Sequence, residues 1–133
     1  MGASIPHLSV NGFKSNSEQI LLKLFEYFLT SEYSQSNIYH GDIASLKYIL
    51  QNEYEVNTIK NSISKTLDTM YRRYFDNVDV LVTMEESDSE TSYIINITII
   101  DSKNNTYKLN NSIATTENNI TNMDKLMSDL RGM

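Results

Sequence analysis

The chain has 133 residues, a formal charge of −6 and an apolar fraction of 40%, with no cysteine. That length suits one domain burying roughly two-thirds of its unfolded surface, and the composition is not that of a disordered chain. Absent thiols exclude a disulfide framework, a thiol nucleophile and cysteine-ligated zinc, and the acidic balance argues against general affinity for nucleic acid.

Met1–Lys14 reads as an arm, with Pro6, an Asn11-Gly12 turn pair and scattered Ile5, Leu8, Val10 and Phe13. It is expected either as a terminus laid on the domain or as an extended segment pairing with a neighbouring chain. Met1–Asn16 lacks the basic start and apolar block of a signal peptide, and no apolar run approaches the ~20 residues of a bilayer span. The expected setting is a cytosol, or an assembly built in one, and Asn-x-Ser/Thr matches such as Asn96-Ile97-Thr98 are discounted as glycosylation sites.

A first helix is expected from Ser15, whose hydroxyl and Glu18 form a capping box, with Ile20, Leu21, Leu24, Phe25, Phe28 and Leu29 as its buried stripe. Thr30–His40 is polar and without period, a loop. Gly41 suits a positive φ and Asp42 an N-cap for a short helix over Ile43–Leu50. After Asn52–Glu55, with Asn57 as a cap, Val56, Ile59, Ile63, Leu67, Met70, Tyr71 and Tyr74 recur at helical spacing.

The period then changes to two. Val78, Val80, Val82 and Met84 point one way, Asp79, Thr83 and Glu85 the other. Past the acidic turn Glu86–Glu90, Tyr93, Ile95, Ile97 and Ile99 alternate with Ile94, Asn96, Thr98 and Ile100. Asp101–Asn105 reads as a second turn and Thr106–Leu109 as a short third strand, followed by an irregular Asn110–Asn119. Met123, Leu126, Met127 and Leu130 mark a terminal helix, capped by Thr121 or Asn122 and ended by Gly132, too short to stand alone. It docks on its own domain or on a partner. The expected fold is α+β: N-terminal helices and one long helix packed on an antiparallel sheet of two to four strands, with a short C-terminal helix. The expected segments are an arm at 1–14, one domain at 15–110 and a C-terminal segment at 111–133.

The catalytic inventory is thin. Gly2, Gly12, Gly41 and Gly132 are too scattered for a phosphate loop, and His7 and His40 have no partner at ligand spacing. Gly-x-Ser-x-Gly is absent. Glu85, Glu86, Asp88 and Glu90 lack the glycine and spacing of a calcium loop and suit a solvated hairpin tip. Glu53 and Glu55, the carboxylates weighed for glycoside hydrolysis, sit in a linker, and the chain has no tryptophan. No catalytic residue, cofactor or metal is expected, and the chain is read as a non-enzyme.

The order of elements resembles a known family. Phe28-Leu29-Thr30 at a first helix end, a polar loop closing on Tyr39-His40-Gly41-Asp42-Ile43, a short helix with Leu46, a long helix, then Val78-Asp79-Val80-Leu81-Val82 and Tyr93-Ile94-Ile95-Asn96-Ile97 resemble the small baseplate wedge proteins of contractile-tailed phages. Related sheath initiators occur in tailocins and type VI secretion systems, and the family carries the label "lysozyme-like". The resemblance covers about Ser17–Asp101. Gln35 stands where the family has a loop arginine, and its Glu-Pro-Arg motif is replaced by Tyr74-Phe75-Asp76-Asn77-Val78.

The resemblance implies a virion protein of the tail baseplate, assembled in the host cytoplasm in multiple copies around the tail axis. Its partners would be the tail sheath protein and other wedge or core-bundle proteins, with no nucleic acid and no membrane. It would start the sheath by strand pairing with the first sheath ring. The implied interface residues are Gly41, Asp42, Arg72, Arg73, Tyr74, Asp76, Asn77, Ile97, Tyr107 and Leu109. The rival readings are a head–tail junction or tail-terminator protein and, following the family label, a peptidoglycan hydrolase.

Overall fold

The computed structural model describes residues 16–31, 45–53 and 55–131. Helix α1 (Asn16–Thr30) buries Leu21, Phe25, Phe28 and Leu29, the stripe its spacing demands. Ser15, Gly41, Asp42 and Ile43 lie outside the described residues. Helix α2 spans Leu46–Asn52, and Ser45 in front of it is extended, so the short helix begins later than Ile43. Ser45 is the cap: its hydroxyl oxygen accepts from the Tyr48 N–H and its O–H donates to the Ser31 carbonyl at 2.7 Å. That fully buried bond ties the end of α1 to the start of α2.

Helix α3 spans Val56–Arg72 and buries Ile59, Ile63, Leu67, Met70 and Tyr71. Two expectations need correction here. Asn57 is not the cap, because Val56 is already helical and Glu55 holds the N-cap position. Tyr74 is not on the buried stripe: the helix ends at Arg72, the chain turns on bonds to the Tyr71 carbonyl, and Tyr74 is 52% exposed while Phe75 tucks inward. The Tyr71 hydroxyl donates to the Leu21 carbonyl of α1 at 2.5 Å, and burial pushes its pKa above the ordinary tyrosine range.

The sheet is antiparallel in the order β1-β2-β3-β4, with β1 Asn77–Glu86, β2 Thr91–Ile100, β3 Thr106–Thr116 and β4 Asn119–Ile120. Helix α4 (Met123–Arg131) follows, and its Leu126 and Leu130 join the same core as the other helices. The fold is thus α+β, with three N-terminal helices, a four-strand antiparallel sheet and a short C-terminal helix among the described residues. Val80 faces Ile97, and Ile97 faces Leu109, so the inward side chains form rows beneath the helices.

The stretch Asn110–Asn119, expected as irregular, is mostly strand. β3 runs eleven residues, straight through position 110, with Leu109, Asn111, Ile113 and Thr115 buried in alternation. Two of those four inward residues are polar, which masked the period. The chain then reverses through Glu117 and Asn118, both at positive φ, a two-residue hairpin into β4.

Candidate functional site

The residues expected at an interface fall into two groups. Arg72, Tyr74, Asp76 and Asn77 gather where α3 hands over to β1, with exposed Arg73 among them. Ile97 and Leu109 are core residues facing each other across β2 and β3, and they present no surface. Tyr107 is half-buried against that core, opposite Ile99.

At the junction the Arg72 Nε–H reaches both Asp68 carboxylate oxygens, at 3.0 and 2.9 Å, one helical turn back. Its Nη2 donates to the Val78 carbonyl at 3.0 Å. The guanidinium therefore pins the helix end to the first turn of β1. Tyr74, Asp76 and Asn77 line an open cleft of about 360 Å³, with Asn16, Ser17 and Asp101 on its other wall. Asp101 opens the β2–β3 turn. It accepts from the backbone N–H groups of Asn105 and Lys103, each at 2.9 Å, and from the Ser17 hydroxyl at 3.2 Å. The Asn105 bond, then Lys103 and Ser17, hold its carboxyl below the ordinary range against a smaller opposing effect of desolvation.

The margin of β1 is the larger feature. In an antiparallel ladder, facing residues alternate between pairs that exchange both backbone bonds and pairs that exchange none. The Ser87 N–H donates to the Glu90 carbonyl at 2.8 Å, so the bonded positions continue at Glu85, Thr83, Leu81, Asp79 and Asn77. Val78, Val80, Val82, Met84 and Glu86 therefore aim N–H and C=O away from β2. The Val78 carbonyl is taken by Arg72. Among the described residues, Val80, Val82 and Met84 have no partner for theirs. Their side chains face inward, that of Val82 buried and those of Val80 and Met84 partly buried against the core.

The opposite margin is closed over part of its length. The Thr121 N–H donates to the Ala114 carbonyl at 2.8 Å, the Ala114 N–H donates to Asn122 Oδ1 at 3.0 Å, and Asn122 Nδ2 donates to the Ser112 carbonyl at 2.8 Å. The Asn122 amide thus continues β4 as a short surrogate strand. Sequence reasoning placed Thr121 or Asn122 as a helix cap and missed this role. Its legible signal was an asparagine just after a two-residue hairpin.

Among the described residues, no group of three or more His, Cys, Asp or Glu is placed to hold a metal ion, and no helix is long and apolar enough to cross a membrane. A groove of about 370 Å³ runs between α2 and the β3–β4 hairpin, lined by Lys47, Leu50, Asn118, Ile120 and Met123. No family model, no curated protein and no solved structure matches this chain.

Proposed function

We propose that this chain is a non-enzymatic assembly subunit that receives a β-strand from a neighbour along the margin of β1. Its proposed setting is the baseplate of a contractile tail, where it acts as a wedge subunit and sheath initiator, bound to the tail sheath protein and to other wedge subunits. One observation carries the reading: among the described residues, the ten of β1 are paired on one side only, and the outward groups of Val80, Val82 and Met84 have no partner. A strand laid there would satisfy those groups and cover the partly exposed Val80 and Met84. The order of helices and strands and the resemblance of Val78–Val82 and Tyr93–Ile97 to the baseplate wedge proteins supply the setting.

The test is nucleation of sheath polymerisation by the purified protein, beside the variant Val80→Pro. Proline at Val80 removes an outward N–H that β2 does not use, so the variant folds. Nucleation by the parent and its loss in the folded variant supports the proposal. Undiminished nucleation by the variant, or turnover of cell-wall peptidoglycan by the parent, overturns it.

A further inference from the structure

Building on the reading of β1 as a receptive margin, we infer that the strand it receives comes from another protein and is basic, with lysine or arginine alternating with apolar residues, and that it pairs from Val80 to Glu86. The first ground is charge. The solvent-facing positions of β1 are Asn77, Asp79, Leu81, Thr83 and Glu85, with Glu86 at the far end; three of these six are acidic and none is basic. Like charges opposed across strands repel and opposite charges attract, so a cation belongs opposite Glu85 and, at the other end of the paired stretch, opposite Leu81, the diagonal neighbour of Asp79. The second ground is the inward row, where the half-covered Val80 and Met84 call for apolar neighbours at every second residue. The third is Arg72. Its hold on the Val78 carbonyl closes that end of the margin, so an incoming strand starts its pairing at Val80.

The same residues disfavour a second copy of β1 and the chain's own N-terminal arm as occupants. Two copies of β1 paired antiparallel over their full length, centred on Val82, would set Asp79 of each against Glu85 of the other. The chain's own segment Met1–Lys14 offers one lysine, and Pro6 and Gly12 leave only His7–Asn11 between them for an uninterrupted strand, shorter than the open margin. The uncovered part of β3, Thr106–Asn110, carries Lys108 rather than acids, and its inward Leu109 is already buried.

The test uses the full chain and three seven-residue peptides in which valine alternates with lysine, threonine or glutamate, read by amide exchange and chemical shift. The inference expects the lysine peptide to slow exchange at Val80, Val82 and Met84 but not at Val78, with affinity roughly tenfold above the glutamate peptide. Salt narrows that gap, the Asp79→Lys/Glu85→Lys double variant reverses the preference, and Arg72→Gln extends protection to Val78. Equal affinity for all three peptides overturns the basic specificity and leaves strand addition standing. Failure of every peptide to protect β1, with Val80, Val82 and Met84 exchanging freely, overturns both. Binding seen only after residues 1–14 are removed assigns the margin to the chain's own arm and overturns the inference, as does self-association that protects Val80 without peptide.

Discussion

The two margins of one sheet solve the same physical problem in different ways. Each presents backbone groups that lose hydrogen bonds if they are covered without a partner. On the β3 side the chain folds back through Glu117-Asn118, and β4 and the Asn122 amide occupy the outward groups of Ala114 and the Ser112 carbonyl. On the β1 side one guanidinium occupies one carbonyl, and the outward groups of Val80, Val82 and Met84 have no partner among the described residues. The contrast separates a margin occupied by described residues of its own polypeptide from one whose outward groups have no partner among the described residues, and an exposed strand is informative only when such groups are followed one by one.

The heaviest expected blow to both margins is Ile97→Asp, because Ile97 is fully buried on the central strand between β1 and β3. An unpaired carboxylate there costs several kcal/mol, comparable with the ~5–15 kcal/mol that holds a small domain together, and urea unfolding should show no cooperative transition. Next comes a pair of prolines on β1. Leu81→Pro removes an N–H on the side facing β2 and should cost on the order of 3 kcal/mol, whereas Val80→Pro, one residue away, should cost much less. Equal losses would show that the outward and inward positions are misassigned.

Asn122→Ala should destabilise the fold by about 1–2 kcal/mol and speed exchange of the Ala114 amide, while leaving β1 unchanged. A smaller effect is expected of Arg72→Gln. The Arg72–Asp68 pair is 51% and 39% exposed, so solvent screening holds its contribution under about 1 kcal/mol, and thermal unfolding should barely move. The smallest is a pH effect at Asp101. Its carboxyl is held below the ordinary range in the fold, so its contribution is present at neutral pH and lost as pH falls through the folded-state value. Asp101→Asn should flatten the acid limb of the melting-temperature profile below about pH 4 and leave neutral behaviour nearly unchanged.

Legibility followed burial. The stripes of α1 and α3 and the alternation of β1 and β2 stand out because apolar residues fill nearly every inward position. β3 was read at less than half its length because Asn111 and Thr115 take inward places, where Thr115 donates its hydroxyl to the Thr91 carbonyl at 3.0 Å. Tyr74 lies two residues past the end of the helix: the stripe continues in the sequence beyond the point where the backbone stops following it. Of the residues expected at an interface, Arg72, Tyr74, Asp76 and Asn77 meet at one corner, while Ile97 and Leu109 belong to the core.

What the amino-acid order determined by itself was which side of each helix and strand is buried, since side-chain polarity is written residue by residue and its period survives in any context. Tertiary structure alone decided which backbone groups are left over. Every residue but proline carries the same N–H and C=O, so their state depends on a neighbour that is distant in the chain: Asn122 for Ala114, Arg72 for Val78, and for Val80, Val82 and Met84 none among the described residues.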